Sequence, residues 1–247
     1  MSTTEPFLHL RRRKIFDKYK YKEDRMKNLL MFFLLLINFA FAQSKEAKMN
    51  VAIFIYDKVE ILDFSGPGEV FAATNLDNDD AFNVYTVAVT KEPVLSQGFV
   101  TIIPQYTIDN CPAPDILVLP GGDQRKSSEN PKLIQWIKDC SKNAEILMSV
   151  CTGAKLLSKA GLLDNKEATT WHGAIESLQQ MTPKAKIHRD TRFVDNGQII
   201  TTAGVSAGID GALHVVSRLF SEEKAHEVAR YMEYDKWKPE EGLIVSK

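Results

Sequence analysis

The chain has 247 residues and a formal net charge of -1, with 44% hydrophobic and 26% charged residues. This is the composition of an ordinary globular protein. There is no basic excess that would suggest nucleic-acid binding, so this function is not expected. The chain also has no acidic tail.

The N-terminal part of the chain is predicted to lie outside the globular fold. Leu29–Ala42 is an almost unbroken apolar run, shorter than the about 20 residues needed to cross a bilayer, and it ends in the small-x-small pattern Ala40-Phe41-Ala42. We expect a signal peptide at 26–42, preceded at 1–25 by an over-extended start and followed at 43–49 by a linker. The mature protein is then exported to the periplasm or secreted. The alternative is an uncleaved membrane anchor behind a basic segment.

Residues 50–237 alternate strand-like and helix-like segments. The predicted strands are Asn50–Tyr56, Asn83–Thr90, Phe99–Ile103, Asp115–Leu119, Glu145–Val150, Glu167–Thr170 and the hairpin of Ile187–Val194 with Gln198–Thr202. The predicted helices are Gly66–Thr74, Pro131–Lys142, Ala154–Lys159, Gly173–Met181, Gly208–Phe220 and Glu222–Met232, with a surface tail at 238–247. Continuous apolar strands separated by helices predict a single α/β domain with a doubly wound, mostly parallel sheet.

Cys151 is the strongest candidate for a nucleophile. It follows an apolar strand and precedes a helix-compatible stretch, so it is predicted to lie at a sharp strand-to-helix turn. Ser149-Val-Cys-Thr-Gly153 is similar to the nucleophile elbow of the α/β-hydrolases, although the first glycine of that motif is missing. Unpaired N–H groups and a helix N-terminus favour the thiolate, so a pKa below about 8.5 is expected. A buried structural cysteine is the alternative.

Two other features are predicted at the same edge of the sheet, where open α/β sheets bind ligands. Asp63 lies after the first predicted strand, and Gly121-Gly122 follows the strand that ends at Leu119. Asp63 would hold or shuttle a proton, and burial with like charge would raise its pKa. The N–H groups of Gly121, Gly122 and Thr152 would hold developing negative charge. The alternatives are a turn for the glycines and a helix cap for Asp63.

The cysteines and histidines show no spacing typical of a metal site, since there is no CxxC motif and the histidines are scattered. The chain has three cysteines, Cys111, Cys140 and Cys151. An odd number leaves at least one thiol without an intramolecular partner in an exported protein. Whether Cys111 and Cys140 pair stays open.

Several short motifs occur in a fixed order along the chain. They are Phe54-Ile-Tyr-Asp57, Leu62-Asp63-Phe-Ser-Gly-Pro67 with Glu69-Val-Phe71, Leu119-Pro-Gly-Gly122, Ser149-Val-Cys-Thr-Gly153, Ala160-Gly-Leu-Leu163, Ala168-Thr-Thr170, and Thr202-Ala-Gly204 with Ala207-Gly-Ile-Asp210. Together they resemble the ThiJ/PfpI superfamily (class I glutamine amidotransferase-like), above all the isonitrile hydratases and the N-terminal domains of AraC-type regulators. The resemblance implies a flavodoxin-like fold, a homodimer and no cofactor. It also implies Cys151 as nucleophile, Asp63 as acid and a role for Thr152.

The chain departs from the family pattern after the Ala168-Thr-Thr170 strand. Many members have Thr-Thr-His at this point, whereas this sequence has Thr-Thr-Trp171-His172. On a strand, a shift of one residue turns the side chain to the opposite face, which argues against a dyad of Cys151 with His172. On a loop the shift need not matter, so whether His172 takes part in the chemistry stays open, and both Trp171 and His172 are expected at the pocket. Trp171 beside the pocket favours an apolar substrate.

The resemblance therefore implies an enzyme that hydrates a small molecule, an isonitrile, to an N-substituted formamide. Many other members of the superfamily carry a glutamate near this position in place of the aspartate. Asp63 therefore favours isonitrile hydration. The alternatives are a glyoxalase-, deglycase- or amidase-like enzyme, or a redox- or ligand-sensing domain. The short segment after Met232 and the predicted export both argue against a DNA-binding regulator. No stable membrane attachment is expected after signal cleavage.

Overall fold

A computed structural model describes residues 25–27, 29, 31–32, 48–75 and 81–245 of the chain. The strands and helices described below all belong to one compact unit that begins at Lys48. The predicted leader, at 1–25 and 26–42, and the linker at 43–49 lie almost entirely outside the described residues. Within the described residues, no helix is long and apolar enough to span a bilayer.

Short strands and helices alternate along the described part of the chain. The strands are β1 (Met49–Phe54), β2 (Phe82–Ala88), β3 (Val94–Ser96), β4 (Val100–Ile102), β5 (Tyr106–Thr107), β6 (Ile116–Leu119), β7 (Ile146–Ser149), β8 (Glu167–Thr169), β9 (Lys186–His188), β10 (Phe193–Asp195), β11 (Ile199–Thr202) and β12 (Gly242–Ile244). The α-helices are α1 (Ile61–Ala73), α2 (Pro131–Cys140), α3 (Ala154–Lys159), α4 (Ile175–Met181), α5 (Ala207–Leu219) and α6 (Glu222–Tyr231).

Eight of these strands form one twisted sheet in the order β12-β10-β11-β7-β6-β1-β2-β5. Every neighbouring pair is parallel except β10 with β11. β3 and β4 form a separate antiparallel hairpin, and β8 pairs with β9 in a separate parallel pair. The predicted doubly wound α/β fold with a mostly parallel sheet is therefore confirmed.

Helices cover both faces of the sheet, which explains why its central strands are continuous apolar runs. Because side chains alternate along a strand, neighbouring residues of β1 enter different cores. Ile53 packs with Val70 of α1 and Leu213 of α5 in one core. Phe54 packs with Leu133 of α2 in the other. Each fully buried side chain of this size contributes about 1.5–3 kcal/mol.

The first helix begins earlier than the sequence analysis predicted. α1 begins at Ile61, so Pro67 lies inside the helix and not at its start. The Oε1 atom of Gln97, from the β3–β4 hairpin, accepts the Ile61 N–H at 3.4 Å and caps the helix from outside. As a result, Asp63 lies in the first turn of α1 and not in the loop before it.

The predicted hairpin forms only near its turn, because the first arm, predicted as one strand, is divided into two strands, β9 and β10. β10 and β11 pair as predicted, and the Asp195 carboxylate accepts the Gly197 N–H within their turn at 2.6 Å. β9, predicted as part of the same arm, pairs with β8 instead. The hydroxyl of Thr169 donates to the carbonyl of His188 at 2.9 Å and holds this second pairing.

The segment at 238–247, predicted as a surface tail, contributes a strand to the sheet. β12 runs parallel to β10, with Gly242 beside Phe193. A Cβ at Gly242 would lie 2.0 Å from the Phe193 ring, so any other residue here would have to displace this buried ring. Just before this segment, Trp237 is buried, and its ring centroid lies 4.6 Å from that of His226.

Candidate active site

Cys151 lies at the turn between β7 and α3, as the sequence predicted. Its φ is +57°, in the left-handed region that residues with a side chain rarely adopt. Two hydrogen bonds hold this conformation: the Cys151 N–H donates to the Ala203 carbonyl at 2.9 Å, and the Thr170 hydroxyl donates to the Cys151 carbonyl at 2.7 Å. Backbone strain of this kind persists only where the surroundings over-determine it, and it is common at functional sites.

Gly153 lets the turn pack directly on the end of β6. A Cβ at this position would lie 1.8 Å from the carbonyl oxygen of Leu119. The Val150 N–H donates to the same carbonyl at 3.0 Å. The residue type at 153 therefore fixes how closely the Cys151 turn approaches the segment that follows β6.

Asp63 is the acidic group of the site. Its side chain is fully buried, and its Oδ2 atom accepts the Gly121 N–H at 2.8 Å. Its Oδ1 atom is buried without a hydrogen-bond partner of good geometry among the described residues. Burial raises the pKa of Asp63 to about 7, the charge of Glu60 adds to the rise, and hydrogen bonds from Gly121 and the Cys151 thiol oppose it. The predicted rise is confirmed, and Asp63 can take up or release a proton near neutral pH.

The Cys151 thiol does not have the low pKa that the sequence analysis expected. The residue is only 7% exposed, and burial raises the pKa of the thiol to about 12, with the negative charge of Asp63 adding to the rise. The backbone N–H groups of Thr152 and Val205 oppose this increase in the pKa. With Asp63 ionised, sulfur therefore keeps its proton, and a thiolate forms when the carboxylate accepts that proton.

The two glycines after β6 have a different role from the one predicted. The Gly121 N–H binds Asp63, and the Gly122 N–H donates to the Thr152 hydroxyl at 3.1 Å. Both donors are therefore engaged and do not form an oxyanion hole in this geometry. Among the predicted anion-binding groups, the Thr152 N–H alone approaches the sulfur of Cys151.

Gly121 also permits the close approach of the acid to the Cys151 turn. A Cβ there would lie 2.7 Å from both Asp63 Oδ2 and the Thr152 hydroxyl oxygen. Asp63 and Thr152 can therefore converge only on a residue without a side chain.

Trp171 and His172 follow β8 at the rim of the site. Trp171 is 39% exposed and lies over Gly204, where a Cβ would come within 2.5 Å of the indole ring. Gly204 precedes Val205, whose N–H approaches Cys151. His172 is exposed, with its ring centroid 4.8 Å from that of Trp171. The largest influences on the pKa of Cys151 and of Asp63 come from burial and from groups other than His172.

Three residues that shape the elbow were not among the predicted site residues: Thr170, Ala203 and Val205. Thr170 and Ala203 lie in quoted motifs, but their roles depend on hydrogen bonds to the Cys151 backbone. Val205 acts through its backbone N–H, which every residue except proline carries, so its residue type does not reveal this role in the sequence. Its φ of +50° is a second unusual backbone conformation beside the thiol.

A cleft of about 1040 Å³ opens elsewhere on this edge of the sheet, and the reactive pair does not line it. Its walls include Tyr56, Val89, Leu95 and Asp123. Asp63 and Cys151 therefore form a site separate from this cleft. All three cysteines are free thiols in the structure.

Comparison with known proteins places this geometry in a family. Residues 49–218 match the DJ-1/PfpI family. The chain is 30% identical over 190 residues to isonitrile hydratase of Pseudomonas putida, covering 75% of this chain and 78% of that protein. It is 25% identical over 169 residues to the HTH-type transcriptional regulator CdhR of Pseudomonas aeruginosa, covering 68% of this chain and 50% of the regulator.

A vertebrate relative and a solved structure extend the similarity. The chain is 27% identical over 143 residues to the Parkinson disease protein 7 homolog of Danio rerio, covering 56% of this chain and 75% of that protein. The crystal structure of a THiJ/PfpI family protein from Pseudomonas syringae matches with a TM-score of 0.70 and 28% identity, covering 79% of each chain. The chain, with its buried cysteine and aspartate at the carboxyl edge of a parallel sheet, therefore belongs to the DJ-1/PfpI family.

Proposed function

We propose that the protein is a cysteine-dependent hydratase that converts an isonitrile to an N-substituted formamide. The observation that carries the proposal is the buried pair of Asp63 and Cys151, in which the carboxyl has a pKa of about 7 and interacts with the thiol. The similarity to a protein named isonitrile hydratase supports the same reaction.

The first half of the reaction moves one proton from sulfur to carbon. Ionised Asp63 accepts the thiol proton of Cys151 while sulfur bonds to the terminal carbon of the isonitrile. The same carboxyl then delivers the proton to that carbon, which leaves a thioimidate, R–N=CH–S–Cys151. A general acid–base group of this kind works best when its pKa lies near the working pH.

The second half consumes one water molecule. Water adds to the thioimidate carbon, its proton passes through Asp63 to nitrogen, and the carbon–sulfur bond breaks. Sulfur recovers its proton, and R–NH–CHO leaves. The overall reaction therefore consumes one isonitrile and one water molecule and yields one formamide. The N–H groups of Thr152 and Val205 stabilise negative charge on sulfur whenever it attacks or departs.

The rim of the site favours an apolar substituent on the isonitrile. Trp171 presents an exposed aromatic surface beside Gly204, the residue that precedes Val205 in the chain. Aromatic side chains commonly line small-molecule sites, where their burial by the ligand is favourable. We therefore expect cyclohexyl isocyanide to be a better substrate than methyl isocyanide.

Parallel assays of cyclohexyl isocyanide and methylglyoxal test the proposal with wild type and Cys151→Ala. Cys111→Ala is the matched control, because it removes a partly exposed thiol away from the site. We expect formamide production that needs Cys151 but not Cys111. Cys151-dependent turnover of methylglyoxal alone would assign the protein to a glyoxalase-like group, and turnover of neither compound would favour a sensing domain.

A further inference from the structure

The carbonyl of Pro120 receives two buried side-chain hydrogen bonds. The Tyr56 hydroxyl donates to it at 3.2 Å, and the Gln124 Nε2 amide donates to it at 3.0 Å. Tyr56 is 7% exposed and Gln124 is 5% exposed, so water does not compete for these bonds. Because a carbonyl oxygen has two lone pairs, these two donors satisfy it fully.

This carbonyl belongs to the same peptide group as the N–H that binds the catalytic acid. The peptide between Pro120 and Gly121 has its oxygen on Tyr56 and Gln124 and its N–H on Asp63 Oδ2, at 2.8 Å. Donors at a carbonyl polarise the peptide and strengthen its N–H as a donor. They also fix the plane of the peptide. This matters because Gly121, which has no Cβ, leaves the peptide free to rotate.

The turn itself has backbone hydrogen bonds that do not involve these side chains. The Glu60 N–H donates to the Gly121 carbonyl at 3.0 Å, and the Asp123 N–H donates to the Lys58 carbonyl at 3.1 Å. Gly122 also forms an antiparallel bridge with Val59. The path of the chain is thus held by the backbone, which leaves the two side-chain bonds to orient one peptide.

We propose that Tyr56 and Gln124 are positioning residues, which hold the Pro120–Gly121 peptide so that its N–H stays on Asp63 and favours the ionised carboxylate. The step in which this carboxylate accepts the Cys151 proton rests on the proposed function. The effect of the two side chains on Asp63 does not, and it can be measured without substrate.

Three titratable groups interact with Asp63 and must be separated from this effect. Glu60, which precedes α1, and Cys151, on the elbow, both affect the pKa of Asp63. The charge of Asp63 raises the pKa of Tyr56, which follows β1, and Asp123, in the turn after β6, also acts on Tyr56. Burial raises the pKa of Tyr56 well above its ordinary value, so its hydroxyl is neutral and donates throughout the working range. Tyr56→Phe therefore removes a hydrogen bond and not a charge.

The experiment follows the protonated carboxyl of Asp63 by infrared spectroscopy between pH 4 and pH 10. The Asp63 band is the carboxyl C=O stretch that Asp63→Asn removes. Tyr56→Phe and Gln124→Leu are compared with wild type. Tyr85→Phe is the matched control, because the Tyr85 hydroxyl also donates to a prolyl carbonyl, that of Pro112 at 2.6 Å, away from the site.

We expect the midpoint of the Asp63 titration to rise by about half a pH unit or more in both site variants, which is about a threefold change in the protonation equilibrium. The control should keep the wild-type midpoint, and all variants should keep the native circular dichroism spectrum. An unchanged midpoint in a folded site variant, an equal rise in Tyr85→Phe, or loss of the native spectrum in both site variants would each overturn the proposal. A raised midpoint in a protein that does not hydrate isocyanides would support the positioning role and reject the proposed function.

Discussion

Asp63 and Cys151 compete for protons within one buried site, so a change at one of them alters the other. We expect Asp63→Asn to reduce turnover by about 10²–10⁴-fold, the usual contribution of a general acid or base. The same substitution should speed alkylation of Cys151 by iodoacetamide at pH 8, because it removes the negative charge that raises the pKa of the thiol. Steady-state kinetics and mass spectrometry of the alkylated peptide measure the two effects.

The control for this substitution is Asp123→Asn, which removes a more exposed carboxylate from the neighbouring turn. It should leave both the turnover and the alkylation rate near those of wild type. Full turnover in Asp63→Asn would show that this residue is only part of the helix start. Slower alkylation of Cys151 in Asp63→Asn would show that the Asp63 carboxylate promotes thiolate formation, by accepting the thiol proton, more than its negative charge disfavours it.

The raised pKa of Asp63 also predicts how stability depends on pH. The pKa is about 7 in the folded protein and 3.8 in the reference state, so between these values the folded chain holds a proton that the unfolded chain has lost. The contribution is complete below about pH 4 and is lost as the pH rises through about 7. A difference of about three pKa units corresponds to on the order of 4 kcal/mol.

Asp63→Asn, which cannot ionise, should therefore unfold with a larger free energy than wild type at pH 8, and the difference should shrink towards pH 4. Urea unfolding at pH 4, 6 and 8 measures this comparison. If the two proteins show parallel pH profiles, Asp63 does not hold its proton in the folded state as described.

At the scale of elements, the approach of the Cys151 turn to the end of β6 depends on Gly153. Gly153→Ala would place a methyl group 1.8 Å from the Leu119 carbonyl oxygen, so the two segments must separate. We expect a loss of about 1–3 kcal/mol in the free energy of unfolding, typical of overpacking, together with loss of Cys151-dependent turnover. Gly68→Ala in α1 is the control, since its Cβ would meet only the end of the flexible Ile53 side chain at 3.2 Å. Wild-type stability in Gly153→Ala would contradict this account of the turn.

The sequence predicts those elements whose determinants are local. β6 is an apolar run that ends before Pro120-Gly121, and β7 is an apolar run that ends within the Cys151 motif. Both form within one residue of the predicted bounds. The start of α1 depends on Gln97, which lies 36 residues away in the chain, so no local pattern reveals it. The pairing of β9 with β8 likewise depends on a contact between separate segments, Thr169 with His188.

The same distinction applies to the site. Cys151, Asp63 and Gly121 could be identified because strand ends and short motifs bring them to one edge of the sheet. The pKa of Cys151 could not be predicted, because it is set by burial and by the charge of Asp63, neither of which a linear pattern contains. Gly121 was predicted as an anion donor, but the fold directs its N–H to Asp63.

At the scale of the whole molecule, the remaining prediction concerns the mature chain. The apolar run Leu29–Ala42 and the pattern Ala40-Phe41-Ala42 predict cleavage after Ala42, so the mature protein should begin at Gln43. β1 begins only at Met49, so this cut leaves every strand and helix of the compact unit intact. Intact-mass measurement of the protein recovered from the periplasm or the medium checks the new N-terminus. Ala42→Arg should block cleavage, because the site requires a small residue, whereas Ala47→Arg should not. Recovery of residues 1–42 on the native protein in a membrane fraction would reject export with cleavage and support the anchor.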